Sequence, residues 1–269
     1  MTILQGLILG AVQGIAEWLP VSSQGIVTLI LVNFFDLQFK QAFFLSIWLH
    51  LGTLLAAVFY FRRELWEIIR YLPAWLRGIR HPAATEQGRL ITFLAVATVV
   101  TAAVGGPLIL LSLDNLQLGG ALLTAVIGLF LIITGLAQRF ALKAGSLEDR
   151  PLRMLDALWV GLAQALSAFP GFSRSGMSLS ALLLLRYGGG QSLRLCFLMS
   201  IPIVLAAEVG LGLLQGMEVN EAAVAGLISS AVFGFLTIKA LMKVAVVLPF
   251  WIFCIALGLL SLVPWLLGL

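Results

Sequence analysis

Six stretches of this chain run for about twenty residues with few charges: 41–61, 90–112, 118–138, 193–214, 219–239 and 244–267. A helix rises about 1.5 Å per residue, so about 20 apolar residues cross the ~30 Å hydrocarbon core of a bilayer. Only 10% of the 269 residues are charged, against about 25% in soluble domains. The alternating segments of ~10 residues that build a membrane barrel are absent. Lipid leaves the backbone no solvent partner, which makes the chain an all-α polytopic membrane protein. The first thirty residues carry no basic segment and no small-residue cleavage site, so no removable signal peptide is expected. Cys196 and Cys254 both lie inside apolar blocks, which predicts neither a disulfide framework nor a metal cluster.

The basic residues are sorted along the chain. Six arginines fall in 62–89, four Lys or Arg in 139–153, two near 190 (Arg186 and Arg194), and two between the last spans (Lys239 and Lys243). Together these are 14 of the 16. The alternate loops, 33–40, 112–117 and 215–221, hold one lysine and a few acids. The positive-inside rule puts the first set in the cytoplasm and the second outside, with both termini outside.

An internal repeat accompanies this alternation. "GAVQGIAEWLPVSSQG" (10–25) and "GLAQALSAFPGFSRSG" (161–176) share Gly-x-x-Gln, an apolar stretch, Pro, Ser and Gly. "FLSI" (44–47) recurs as "FLMSI" (197–201). The chain divides into a first repeat, 1–140, and a second, 150–269, within one membrane domain. Each opens with a hairpin, 2–32 or 154–187, whose arms are too short to cross. Pro20 and Pro170, with Gly25, Gly171 and Gly176, break the helix between the arms. Each hairpin is read as re-entrant. A hairpin plus three spans makes an odd number of crossings, so the halves are inverted and the hairpin tips meet at midplane. That pattern occurs in transporters.

The tips carry the polar groups. The first offers Gln13, Glu17, Ser22, Ser23 and Gln24, and the second Ser173, Arg174, Ser175 and Ser178. Arginine with hydroxyls and free N–H groups at a helix start is a phosphate cradle. The serines have an alternative use as helix N-caps. Arg174 is the only basic residue placed away from a membrane face, and an intramembrane charge is functional by default. Glu208 either joins the site or is solvated near an outer end. His50 is read as an interior packing residue, His81 as exposed, and Trp18, Trp48 and Trp251 as packing or interface residues.

These residues resemble a known family. "QGIAEWLPVSSQG", "LHLGTLLA" (49–56) and "PGFSRSGMS" resemble the signature segments of the undecaprenyl pyrophosphate phosphatases, the bacitracin-resistance type, along nearly the whole chain. The resemblance implies six spans and two re-entrant hairpins in inverted repeat. It also implies release of phosphate from a polyprenyl diphosphate, which recycles the lipid carrier for envelope polysaccharide synthesis, with a divalent cation, Mg2+ or Ca2+. By motif position it implies Ser23, Glu17 and Arg174 as catalytic residues and Glu17 as metal ligand. It implies Gln13, Ser22, Ser173, Arg174, Ser175 and Ser178 as phosphate-binding residues. The chain departs from the family pattern at Gln13, where an acid is common, and at Ile26, in place of histidine. It departs again at Phe253 and Cys254, in place of Tyr-Arg.

Two functions stay open at this stage. One is the phosphatase, with Ser23 attacking phosphorus, Glu17 taking its proton and Arg174 neutralising charge. The other is a carrier that flips polyprenyl phosphate without chemistry. The expected partners are that lipid and the bilayer of the cell membrane, with no nucleic acid; a homo-oligomer is compatible with either function.

Overall fold

The computed structural model describes residues 1–78, 85–115, 120–144, 150–214 and 220–268. It is all-helical, with eleven α-helices and no strand among the described residues. In order these are α1 (Ile3–Ala16), α2 (Ser23–Phe35), α3 (Phe39–Tyr60), α4 (Arg62–Arg77), α5 (Glu86–Asn115) and α6 (Gly120–Ala144). Then follow α7 (Met154–Ala165), α8 (Arg174–Leu184), α9 (Gly189–Leu214), α10 (Glu221–Val247) and α11 (Phe250–Leu266), with a 3-10 turn at Leu166–Ala168. Five helices, α3, α5, α6, α9 and α10, are long and apolar enough to cross a bilayer. The protein is therefore a multi-pass membrane protein.

Three expectations need correction. The stretch 62–89 is not simply a loop, because residues 62–77 form α4. The last two spans also divide differently. α10 runs on to Val247, so Lys239 and Lys243 sit on its final turns and not in a connection. Pro249 is the cause: the residue before proline is driven out of the α region, and Leu248 is extended at ψ 141. α11 consequently begins at Phe250 and has 17 residues, the lower end of what spans hydrocarbon. Likewise α5 continues to Asn115, into the expected connection 112–117. His81 and most of 215–221 lie outside the described residues.

Packing lays the short helices against the long ones. α1 lies along α10, and Gly6, Gly10 and Gly14 form its contact row: a Cβ at Gly10 would sit 2.0 Å from the Gly226 carbonyl oxygen. Small residues at four-residue spacing let helix backbones approach this closely. α7 lies along α5, α3 touches both α9 and α10, and α6 packs on α11 and α8. Trp18 is buried in the largest core cluster, edge-on to Phe197, and donates from Nε1 to the Gly234 carbonyl at 3.0 Å. That bond fixes the end of α1 to α10.

Candidate functional site

The two breaks, 17–22 and 169–173, meet in the interior. α1 ends at Glu17, whose N–H still bonds the Gln13 carbonyl. Ser22 then takes a left-handed conformation (φ 62) and caps α2, its hydroxyl accepting from Gly25 N–H at 3.2 Å. Ser173 caps α8 in the same way, accepting from Gly176 N–H at 3.1 Å. The capping role anticipated for the serines is thus filled by these two. Between them the chain turns at Gly171 (φ +107), where a Cβ would lie 2.5 Å from the Ile127 carbonyl oxygen. A side chain is excluded there on both counts.

Non-helical backbone in the interior needs hydrogen-bond partners, and α6 supplies them one turn apart. Thr134 accepts from Ser173 N–H at 3.3 Å and donates to Gly171 O at 3.4 Å, while Gln138 donates to Pro20 O. The breaks also bond each other. Ser22 donates to Phe172 O at 3.4 Å and Ser175 to Leu19 O at 3.3 Å. Gly25 allows the approach, since a Cβ there would be 3.0 Å from Gly171 N.

Glu17 is the centre of the arrangement. Its Oε2 accepts from Ser23 Oγ at 2.7 Å and from Gln13 Nε2 at 2.8 Å, with His50 Nε2 at 3.3 Å. Its Oε1 pairs with the Arg174 guanidinium, which also donates to Ser200 O at 3.3 Å. His50 is therefore not the packing residue expected. Its Nδ1 lies 2.7 Å from Ser46 O, an acceptor only, so Nδ1 carries the hydrogen of that bond and Nε2 is the ring atom that faces Glu17. The composition of the span did not mark it, since a lone histidine in an apolar helix is commonly packing; the signal that could have found it is its place in "LHLGTLLA" (49–56).

A cavity of about 260 Å³ opens over these groups. One end is polar: Glu17, Ser22, Ser23, Gln24, His50, Ser173, Arg174 and Ser175 line it. Both α2 and α8 present their first turns there, and unpaired N–H groups at helix starts favour an anion. The other end is apolar, walled by Phe43 and Ile47 of α3, Ala102, Gly106 and Ile109 of α5, and Ile203 and Val204 of α9. An anionic head with an apolar tail fits this division.

Several expected residues lie elsewhere. Ser178 turns to α7, donating to Gln164 Oε1 at 3.2 Å, and does not line the cavity. Gln13 reaches the site only through Glu17. Glu208 is not among the lining residues, whereas Ser167, unmarked in the sequence, is. Ile26 packs against Ala16, Val21 and Cys254, away from the cavity.

Among the described residues no group of three or more His, Cys, Asp or Glu is arranged to hold a metal ion. A cation at Glu17 would thus need phosphate oxygens to complete its shell, the usual habit of Mg2+. Gln13 Oε1 is buried with no hydrogen-bond partner, but Gln13 does not line the cavity.

The family of the bacitracin resistance protein BacA matches residues 6–261. The chain belongs to this family. A relative named undecaprenyl-diphosphatase from Methanococcoides burtonii is 44% identical over 261 residues, covering 97% of each chain. Another of that name from Haloarcula marismortui is 41% identical, covering 97% of this chain and 96% of the relative. One from Moorella thermoacetica is 36% identical, covering 90% and 89%. The matched range of the BacA family includes the segments around Glu17, His50 and Arg174.

Proposed function

We propose that the protein is an integral-membrane polyprenyl diphosphate phosphatase, acting on undecaprenyl diphosphate or a lipid of that class and recycling the carrier for envelope polysaccharide synthesis. The observation that carries this is the Ser23 hydroxyl held at 2.7 Å on Glu17, with His50 Nε2 on the same oxygen and Arg174 on the other. A hydroxyl bonded to a carboxylate that is itself oriented by further groups is the arrangement of an activated nucleophile. A carrier needs no such hydroxyl, and the relatives bear the name of a diphosphatase, so translocation is not favoured.

The substrate's phosphates occupy the polar end, against the first turns of α2 and α8, and Arg174 leaves Glu17 to clasp them bidentately. Ser23 Oγ attacks the terminal phosphorus in line, its proton passing to Glu17 and on to His50. The Oγ–P bond forms and the bridging P–O bond breaks, so polyprenyl monophosphate leaves. Water then hydrolyses the phosphoserine, releasing inorganic phosphate and restoring Ser23. Arg174 stabilises the equatorial charge in both steps. Glu17 would hold a divalent cation, Mg2+ or Ca2+, which would supply Lewis-acid neutralisation of the phosphate charge.

The two halves, 1–140 and 150–269, form one membrane domain as an inverted repeat, each a re-entrant hairpin and three spans. Matched details support this. The caps Ser22–Gly25 and Ser173–Gly176 repeat at a spacing of 151 residues (22 to 173, 25 to 176). At that spacing Ser23 corresponds to Arg174 and Gln13 to Gln164. The packing of α1 on α10 is matched by α7 on α5, and that of α3 on α10 by α9 on α5. The basic segments face the cytoplasm, and both termini lie outside.

The test is phosphate release from undecaprenyl diphosphate by purified protein, with and without EDTA, beside Ser23→Ala. Wild type should release phosphate, and the variant should bind the lipid without turnover. A silent wild type, or an active Ser23→Ala, overturns the proposal.

A further inference from the structure

Among the described residues α4 is the one helix with no buried residue, and its surface divides into three strips at about 100° per residue. The first faces the protein. Leu65 and Ile68 pack on the main core cluster, Glu64 accepts from Arg194 Nε at 2.9 Å, and Trp75 Nε1 donates to Thr92 Oγ1 at 3.0 Å. The second strip is apolar and uncovered: Trp66, Ile69, Leu72, Pro73 and Leu76, with Trp66 60% and Ile69 57% exposed. The third, beyond Trp66, is basic: Arg63, Arg70 and Arg77 recur every seven residues, all exposed, and none forms an ion pair among the described residues.

Core packing does not explain the second and third strips, since the protein side of α4 is the first. A bilayer surface does. An apolar strip flanked by arginines is the pattern of a helix lying in the interfacial plane, its guanidinium groups at headgroup depth. α4 also follows directly on the apolar span α3. α4 starts one residue after α3 ends, where Phe59 and Tyr60 are exposed and Arg62 lies 4.6 Å over the Phe59 ring. Charge selects the lipid: the helix carries four arginines and two glutamates, and Glu64 is already paired with Arg194.

We propose that α4 is an interfacial anchor, seating Trp66, Ile69 and Leu76 in one leaflet and gathering anionic lipid headgroups on Arg63, Arg70 and Arg77. This does not depend on the phosphatase reading, because α4 contributes nothing to the cavity.

The full-length protein would be placed in bilayers of phosphatidylcholine alone or mixed with phosphatidylglycerol. Spin labels go on Ile69→Cys or Glu67→Cys; the native cysteines are buried. The label at 69 should collide with oxygen and avoid a water-soluble nickel chelate, and the label at 67 should do the reverse. Equal nickel access at both positions overturns the proposal. A label at 69 shielded from both reagents would mean that a protein, such as a second copy, covers the strip, which also overturns it. Lipid retained on extraction from the mixed bilayers, read by native mass spectrometry, should favour phosphatidylglycerol. Arg63→Gln/Arg70→Gln/Arg77→Gln should lower that preference at least about fivefold, the worth of one basic residue near an anionic surface. Arg70→Gln alone should show a smaller loss, so the measurement stands even if the triple variant is unstable. Unchanged retention in a folded variant refutes the role of the arginines.

Discussion

Replacing Glu17 by glutamine keeps its volume and removes its charge, and three consequences differ in sign. Four groups converge on this carboxylate: Ser23, Gln13, His50 and Arg174. Glutamine accepts with one oxygen only, and the Arg174 side chain, 16% exposed, is left without a counter-ion. Breaking a buried ion pair by removing one partner costs about 3–5 kcal/mol. The cavity beside the pair admits solvent and places the loss at the lower end, so the ligand-free protein should melt well below wild type. Turnover should fall by ~10²–10⁴, the usual loss for a proton acceptor in the transition state.

Ligand affinity should move the other way. In wild type a phosphate must draw Arg174 from Glu17 and sit near a negative charge. Two unit charges 4 Å apart interact by about 4 kcal/mol at an effective dielectric of 20, so removing even part of that term gives at least about tenfold tighter binding of polyprenyl phosphate. The assay is the melting temperature in detergent with and without that lipid, in chelator so that no cation bridges Glu17 and phosphate. Phosphate release is measured separately. The ligand should raise the melting temperature of Glu17→Gln more than that of wild type. Weaker binding by the variant, or turnover within tenfold of wild type, refutes the assignment of Glu17 as proton acceptor and Arg174 as its exchangeable partner.

Other variants test neighbouring parts of the site. His50→Gln should lower kcat by ~10²–10⁴ with KM little changed, and a fall in kcat smaller than threefold would return His50 to packing. Arg174→Lys keeps charge but loses the planar fork; lipid-phosphate affinity, read by the same melting shifts, should drop by more than about tenfold. Tyr187, outside the spans, is buried and donates to Asp156 Oδ2 at 2.7 Å; burial first and that bond second push its hydroxyl up to about 12. The neutral form is the one the fold favours, so its contribution is complete below pH ~10, the unfolded value, and is lost as pH rises toward 12. Tyr187→Phe should flatten that alkaline limb and destabilise by about 1–3 kcal/mol at neutral pH, measured by denaturant melts.

Much of the architecture was legible because lipid forbids compromise. Pro20 and Pro170 inside apolar sequence mark breaks, and a break within lipid must be covered by protein, which made the tips the place to look. Glu17 and Arg174 stood out for the same reason: a charge in an apolar block has few explanations. What stayed hidden depended on distant partners or on a period masked by composition. α4 was lost in a count of arginines, although their spacing at 63, 70 and 77 is helical. Ser178 looked like part of the cradle by proximity to Arg174, yet it lies one turn further along α8 and is taken up by Gln164 of α7. His50 lay in the "LHLGTLLA" segment, and it was the packing of α3 against the first break that put it on Glu17.

The family departures at Ile26 and Cys254 change meaning in three dimensions. In the sequence they are two separate losses, an imidazole and a guanidinium, 228 residues apart (26 to 254). In the fold Ile26 packs on the cluster of Ala16, Val21 and Cys254 and is not among the residues that line the cavity. Cys254 is fully buried and donates weakly to Pro20 O at 3.4 Å. The two positions are therefore one apolar patch, and exchanging both polar groups for apolar ones leaves no orphaned charge. The imidazole beside Glu17 comes instead from His50. Ile26→His should consequently fail to accelerate phosphate release: its ring would enter the patch against Val21 and Cys254, adding a polar group without a partner, and should destabilise by about 1–3 kcal/mol. A rate gain of tenfold or more would show that position 26 does reach the phosphate, and would move the proton-transfer role from His50 to that face of α2.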